Sequence, residues 1–589
     1  MECASIVTFW SALPFLYLNY CLHLQLGEAV FFACSYFSTV FIISMAVCLV
    51  LKMVSFIARG SKWSLLAEVV TFVFLLGMLV YLTTDACVYA LYRTHLDESM
   101  LKMGLDGNVV QLDWTVKFKA ALIIALYAAA LFVSLRLAVM RRLWVCLAVI
   151  FFVLSVGFNV SYSYCWSAGN PVFENAIEMT PMCRPLKMSK FWRKMGVVKS
   201  EGQIDFVDLA SGESGLRYPL KPMACGKGGM NILIIAVDAL RSDVVTKDVM
   251  PNVSEVADES LVFMNHYSGG NHTKQGIFSL FYSLPGTYWS SVWKSRVPPV
   301  MLDVMKNGGY EMKVFASAPL NEPDFKNSVF SNVPSLRSGS EGDTPVSRDV
   351  SALHDFEDWL SHKGEDGRPF FSFVFFDAVH GQSLLESDER PFKPALEKVD
   401  HLDLGPDFAP APYFNLYKNA VWNTDRRIGR IIQDLKDKGL YDSTLVVITS
   451  DHGEEFNDNQ LNYWGHGGNF TASQIHIPLI VHWPGRGHVV YDHRTASHDL
   501  VPTLLKQVFH CENEPREFCV GRNLFDDSSR EFVYSFGYSQ QSYVERNRIV
   551  MRLQSGRLVY KDPTFHDSED KSFPSYFARV LEENRRFSN

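Results

Sequence analysis

The chain has 589 residues, long for one domain, and its apolar content is uneven: long apolar runs fill the first 165 residues, while most of the charge follows them. A net charge of −8 excludes nucleic acid as a general partner and leaves room only for local basic patches.

Five segments, roughly 5–24, 29–51, 64–83, 120–140 and 143–165, are long and apolar enough to span a bilayer. A cleaved signal peptide is the rival reading of the first, but no basic stretch precedes it. Lys52, Arg59 and Lys62 follow the second segment, and Arg136, Arg141 and Arg142 close the fourth. Both groups lie inside if the N-terminus is cytoplasmic, so five spans send the remainder of the chain outside. The intervening loop is balanced, with Arg93, Lys102, Lys117 and Lys119 against Asp97, Glu98, Asp106 and Asp113. Six of the 11 cysteines lie in or beside these spans. Of the others, Cys511 with Cys519 and Cys183 with Cys225 are the expected pairs in an oxidising compartment, with Cys165 left over.

Residues 166–230 read as an interfacial linker with short helices. Within them Lys187, Lys190, Arg193 and Lys194 interleave with Phe191 and Trp192 just beyond the last span. Such a segment suits anionic lipid headgroups, with an ordinary solvated helix face as the alternative.

From 231 to about 510, β-branched and aromatic runs alternate with helical stretches: Asn231–Asp238, Glu311–Ser317, Phe370–Phe376, Thr444–Ser450 and Ile477–His482 as strands, and Tyr417–Leu440 as a helix stopped by Gly439. This pattern predicts a mostly parallel sheet covered by helices. Residues 511–589 read as a smaller subdomain, a short sheet plus a helix near Ser575–Arg585.

Ligands of open α/β sheets sit beyond the carboxyl ends of strands. Asp238 ends the first strand, and Asp451, His452 and Gly453 follow the fourth; carboxylate and imidazole presented together suit a divalent metal. Standing alone, Asp238 would more often cap a helix. The glycine-rich stretch Gly269–Gly276 places Thr273 at a helix N-terminus, where backbone N–H groups favour an anion and a hydroxyl against a metal becomes a nucleophile; simple capping by Asn271 or Thr273 is the plainer reading. His380 follows Asp377 after the third strand, and His466 sits between glycines, free to stabilise an anionic group or move a proton. His498 and Asp499 read mainly as helix capping and as support behind the site; Glu454 and Glu455 could add negative charge near the metal, but their register is not fixed by the sequence.

The order Asp238, Thr273, Asp451-His452, His466 resembles the alkaline phosphatase and sulfatase superfamily. The whole chain, from the membrane half to the tail Glu583–Asn589, resembles the YejM (PbgA/LapC) family of Gram-negative inner-membrane proteins. The resemblance implies a multi-pass inner-membrane protein with a cytoplasmic N-terminus and a sulfatase-like periplasmic domain. It also implies that a few basic residues are missing ahead of Met1. One divalent ion (Mg, Mn, Ca or Zn) is expected on Asp238, Thr273, Asp451 and His452, with Thr273 at the nucleophile position of lipid phosphoethanolamine transferases and His466 and His380 beside it. No Cys-x-Pro-x-Arg motif exists, which argues against arylsulfatase chemistry. Most sulfatases place two consecutive carboxylates where this chain has Asp238-Ala239, which favours a single, modestly held ion. The family further implies a role in lipopolysaccharide and envelope homeostasis. Segment 187–194 would then meet lipid A or an anionic phospholipid such as cardiolipin, and a membrane-protein partner would control proteolysis of a biosynthetic enzyme. Two readings follow: an enzyme of phosphate or sulfate esters, or a non-catalytic lipid A sensor.

Overall fold

A computed structural model describes residues 2–588 apart from 23, 25, 58–60, 97–113, 137–140, 169–173, 197–214, 364–366, 402, 539 and 554–556. The chain forms two compact units, Met1–Asp205 and Phe206–Asn589. Arg59, Asp97, Glu98, Lys102, Asp106 and Asp113, which enter the orientation argument, lie outside the described residues.

In the first unit five helical segments have the length and apolarity of membrane spans: Glu2–Leu22, Leu26–Val54, Leu65–Tyr92, Trp114–Arg136 and Arg142–Ala168. The first is two helices, Glu2–Trp10 and Ala12–Leu22, separated at Ser11. Pro14 explains the break, because it has no N–H to give the carbonyl of Trp10 and its ring crowds that turn. Phe32, Tyr36, Leu79 and Leu131 are fully buried between the helices, while many apolar side chains, Leu16, Phe56, Val73 and Phe118 among them, are exposed. Such an inside-out distribution is what a hydrocarbon solvent permits.

In the second unit the strands are β1 (Asn231–Val237), β2 (Leu261–Tyr267), β3 (Glu311–Ala316), β4 (Phe370–Phe376), β5 (Thr444–Ser450), β6 (Glu455–Phe456), β7 (Trp464–Gly465), β8 (Leu479–His482), β9 (Val489–Ala496), β10 (Val533–Phe536), β11 (Gln541–Val544), β12 (Ile549–Arg552) and β13 (Leu558–Lys561). The main sheet runs β3-β4-β1-β5-β8-β2-β9, and only β8 opposes the common direction. Strands β4 and β5 are buried at every position, as the unbroken apolar runs require of parallel strands covered on both faces. Ile277, Phe278, Leu280 and Phe281 of helix Thr273–Tyr282 join Ile232, Ile234, Phe371, Phe373 and Val447 in one core, so the sheet itself positions that helix.

The expected helix at Tyr417 begins earlier and runs Pro410–Asp437. Pro410 and Pro412 lie in the first turn, where a missing N–H breaks no helical bond. Gly439, at φ +65°, ends it in the left-handed conformation. The C-terminal residues form the antiparallel sheet β10-β11-β12-β13 and the helix Phe577–Glu583.

The expected disulfides are corrected. Cys225 pairs with Cys511, while Cys183 and Cys519 are free thiols. Gly226 donates to Phe509 O at 2.7 Å and Glu512 to Ala224 O at 2.9 Å, so two distant segments run side by side and face the two sulfurs to each other. Cys519 is turned away, its thiol against Gly521 O, and Cys183 belongs to the first unit. Peptide mapping without reduction should recover the Cys225–Cys511 cross-link and alkylatable Cys519, and Cys225→Ser should cost about 2–5 kcal/mol in thermal unfolding. A Cys511–Cys519 peptide would contradict this arrangement.

Candidate metal and nucleophile site

Three neighbouring parallel strands end level with one another. Val237 pairs with Phe376 on one side and Ser450 on the other, so Asp377, Asp238 and Asp451 stand in a row beyond the carboxyl edge of the sheet. Ala239 follows at φ +63°, a left-handed conformation that costs a non-glycine residue of order 1–3 kcal/mol. It is held there from both sides: its N–H donates to Asp451 Oδ1 at 3.2 Å, and Tyr417 donates its hydroxyl to Ala239 O at 2.9 Å.

Helix Thr273–Tyr282 points its N-terminus at this row. His272 occupies the cap position without a capping side-chain bond, and Thr273 is the first helical residue, its hydroxyl turned to the carboxylates instead of capping. Thr273 Oγ1 lies 3.4 Å from Asp238 Oδ2 and 3.3 Å from His452 Nε2. The approach depends on Gly276, because a Cβ there would sit 2.2 Å from Asp451 O. The loop before the helix is fixed by Asn271, which takes Phe536 O with its backbone and Asn469 O with its side-chain amide. His272 stacks on Tyr538 with ring centroids 3.9 Å apart.

His452 binds Gly453 O through Nδ1 at 2.8 Å, which leaves Nε2 facing Asp238 Oδ1 at 3.3 Å and Asp451 Oδ2 at 3.4 Å. Those separations exceed a charge-assisted hydrogen bond, and both oxygens are buried without a hydrogen-bond partner. Two orphaned carboxylate oxygens, an imidazole nitrogen and a hydroxyl converging in one buried place fit a divalent cation, which would complete all of them at once. Burial would raise Asp238, but His380, then His452 and His466, hold it down at about 2. Burial and the adjacent Asp238 charge push Asp451 up to about 7. Burial opposes charge on His452, yet Asp451 and Asp238 outweigh it and raise His452 to about 9.

His466 and His380 also reach the cluster. The two-residue hairpin β6-β7 sets Glu454 across from His466, whose Nδ1 meets Glu454 Oε2 at 2.8 Å; the His466 ring is 4.3 Å from that of His452 and 5.1 Å from that of His380. His380 Nδ1 lies 3.3 Å from Asp377 Oδ1, and Arg348 holds the other Asp377 oxygen at 3.0 Å. Burial opposes charge on His380, but Asp238 and Asp377 raise it to about 10. Burial lifts Glu454 to about 7 and pushes His466 well below its ordinary range. Sequence reasoning gave Glu454 no more than added negative charge near a metal and gave Asp377 no role, whereas Glu454, His452 and His466 form one potential ligand group and Asp238, Asp377 and His380 another. The only sequence signals were the adjacency of Glu454 to Asp451-His452 and the spacing of Asp377 to His380. His498 and Asp499 lie apart: Asp499 caps Ala496 N and pairs with Arg530.

The basic-aromatic segment belongs to the first unit. Helix Ser189–Lys194 is docked on the last span by Ser163, whose hydroxyl accepts from Met188 N and Trp192 Nε1 at 2.9 Å each. Lys187 Nζ lies 3.8 Å from the centre of the Trp166 ring. Lys190, Phe191 and Lys194 are exposed, and the side chain of Arg193 lies outside the described residues.

Asp451 and Asp238 favour the protonated form of His452, whose Nε2 must give up that proton before it can hold a cation. Binding of Zn²⁺ or Mn²⁺ is therefore expected to release protons and to tighten as pH rises toward about 9, the level to which His452 is raised. Calorimetry in two buffers of different ionisation enthalpy measures this; identical heats would contradict His452 as a ligand.

Residues 230–509 match the Sulfatase family, and residues 11–225 match a domain of unknown function, DUF3413. Inner membrane protein YejM of Salmonella typhimurium is 25% identical over 465 residues, covering 75% of this chain and 72% of YejM. The multifunctional alkaline phosphatase superfamily protein PehA of Trinickia caryophylli is 24% identical over 275 residues, covering 38% of this chain and 52% of PehA. Among solved structures, the integral membrane lipooligosaccharide phosphoethanolamine transferase A (EptA) of Neisseria meningitidis aligns with 85% of this chain and 95% of its own, at a TM-score of 0.55 and 15% identity, a likeness of fold. The two family matches cover the membrane half and the sheet domain in turn, and with the YejM relatives they make the chain a YejM-like membrane protein carrying a sulfatase-superfamily domain.

Proposed function

We propose that the second unit transfers or hydrolyses phosphate or sulfate esters through Thr273, with a lipid headgroup as the substrate class and the outer face of the inner membrane as its place. The observation that carries this reading is the Thr273 hydroxyl, set at a helix N-terminus 3.3–3.4 Å from an imidazole nitrogen and a carboxylate whose neighbouring oxygens have no other partner. A divalent ion held by Asp238, Asp451, His452 and Thr273 would supply charge neutralisation and a more acidic threonine hydroxyl.

The chain's own groups divide the remaining work. Thr273 Oγ1 attacks phosphorus or sulfur in line, and the bond to the leaving oxygen breaks as the bond to Thr273 forms. The first N–H groups of helix Thr273–Tyr282 and the positive charge on His380 face the anionic group during transfer. His466, its Nδ1 fixed on Glu454, presents Nε2 to take the proton that Thr273 loses, hand it to the leaving oxygen, then take one from the incoming water or acceptor hydroxyl and return it to Thr273 as the ester breaks. Attack by that second oxygen breaks the Thr273 ester and restores the hydroxyl.

The test uses the full chain in detergent with p-nitrophenyl phosphate and added Mg²⁺, Mn²⁺ or Zn²⁺. Thr273→Ala is expected to lose at least about 100-fold in turnover, with unchanged thermal unfolding. Equal turnover in wild type and Thr273→Ala would rule out this nucleophile.

A second reading, lipid A sensing that acts on lipopolysaccharide synthesis through the membrane helices and a membrane-protein partner, is favoured by one feature. Phe191, at 48% exposure, and Met195, at 66%, stand outward beside Lys190 and Lys194 on a segment docked to the last span. Complementation of a deletion strain separates the two. If Thr273→Ala and Asp451→Asn restore growth while Lys190→Glu with Arg193→Glu does not, sensing is the function that the cell uses.

A further inference from the structure

A polar cavity lies where the loop 514–531, the start of β10 and the last helix meet. It measures about 570 Å³, and five arginines line it: Arg516, Arg522, Arg530, Arg579 and Arg586. None of its lining residues belongs to the metal cluster. Three glutamates share the wall, and two of them are engaged, Glu531 with Arg579 and Glu583 with Arg586. Arg516 and Arg522 have no carboxylate in an ion pair among the described residues; Arg522 instead donates to Ser528 and Ser529.

The deepest part is incompletely satisfied. The Arg530 side chain is 9% exposed and spends Nη2 on both Asp499 oxygens at 2.7 and 2.8 Å, yet its buried Nε has no partner. A guanidinium N–H can only donate, so this buried group lacks an acceptor. His498, also in the lining and 2% exposed, leaves Nε2 without a partner. Burial lowers Arg522 and Arg586, and the adjacent guanidiniums of Arg530 and Arg516 add to the effect, which is the mark of like charges crowded without enough counter-charge. Planar guanidinium forks match tetrahedral oxyanions in pairs of bonds. Phe532 and Tyr534 supply an aromatic wall, and the volume exceeds that of one bare ion.

We propose that this cavity binds a phosphate- or sulfate-type oxyanion carried on a small organic body, at a place separate from the metal cluster. The cavity is close to the chemistry all the same. His498 fits between Gly521 of the cavity wall and Gly269 of the nucleophile loop: a Cβ on Gly521 would lie 1.8 Å from His498 O, and one on Gly269 would lie 2.4 Å from His498 Cε1. Occupation of the cavity therefore bears on a side chain packed directly against the loop that carries Thr273. The oxyanion has two possible sources, a soluble ester or a lipid headgroup.

The experiment keeps the full chain and removes divalent ions with EDTA, so that the metal cluster does not contribute. Binding of inorganic phosphate, glycerol 3-phosphate and nanodiscs doped with phosphatidic acid is measured against chloride at equal ionic strength. The variants are Arg516→Gln with Arg579→Gln, and separately Arg530→Lys, which keeps a cation for Asp499 while deleting the Nε donor. Wild type is expected to bind at least one of the three probes, and both variants are expected to bind it at least tenfold more weakly. Binding of the soluble probes assigns a free ester; binding confined to the nanodiscs assigns a headgroup. Absence of binding to all three, or binding that the variants leave unchanged, overturns the proposal. Because Thr273 and the metal are not involved, that failure would leave the catalytic reading untouched.

Discussion

Asp238 and Asp451 close two adjacent parallel strands, and the ladder between Val237 and Ser450 gives their carboxylates no freedom to separate. Both are buried, with oxygens that face each other and the same imidazole nitrogen. Two carboxylates forced together in a place of low dielectric are a large unfavourable term unless positive charge is supplied. Much of the surrounding structure supplies it. His452 and His380 are gathered from two different segments, the helix beginning at Thr273 aims its N-terminus at the pair, and the backbone of Ala239 is bent into a left-handed turn to give Asp451 one more N–H. A divalent ion would do the same work more completely and would satisfy the oxygens that lack a partner on both aspartates.

That concentration of charge has to be held from outside, and the C-terminal region does much of the holding. Strand β10 ends at Phe536, whose N–H takes Gly269 O and whose carbonyl accepts from Asn271, so the loop before Thr273 is bonded along one edge to the small antiparallel sheet. Tyr538 continues that edge and stacks on His272. On the opposite side the close approaches at Gly269 and Gly276 admit no side chain at all. A loop clamped in this way keeps the Thr273 oxygen in place without a capping bond of its own, which leaves the hydroxyl available for chemistry. The region that reads as a separate appendage in the sequence is thus part of the support of the site.

How much of this was legible in the sequence depends on the range of the interaction. Buried parallel strands write themselves as unbroken β-branched and aromatic runs, and a run that stops abruptly at a carboxylate marks the edge where ligands bind; Asp238, Asp451 and His452 were therefore visible at once. Thr273 was visible through the glycines before it. The first span's break at Ser11 and the helix start at Pro410 are local, but they hinge on whether a proline sits where its missing N–H matters, which one apolar pattern does not reveal. Glu454 was out of reach because its orientation comes from a hairpin of only two residues per strand. The Cys225–Cys511 pairing was out of reach for another reason: the partners are 286 residues apart, and sequence proximity favours a short loop that the backbone does not present.

The substitution of alanine for a second carboxylate after Asp238 illustrates how the site balances its charges. A carboxylate at position 239 would add a third negative charge within reach of Asp451, whereas Ala239 contributes only a backbone N–H, and it is this N–H that Asp451 Oδ1 uses. The result is a cluster of two carboxylates, one imidazole and one hydroxyl, poorer in charge than a tight calcium cage and chemically suited to an ion whose ligands include nitrogen. Fewer fixed negative charges also repel an incoming phosphate or sulfate less, and His380 and His466 stand on the side from which it would approach the Thr273 oxygen. Ala239 thus lowers the fixed negative charge of the cluster while its backbone still serves Asp451, and the one residue settles both terms.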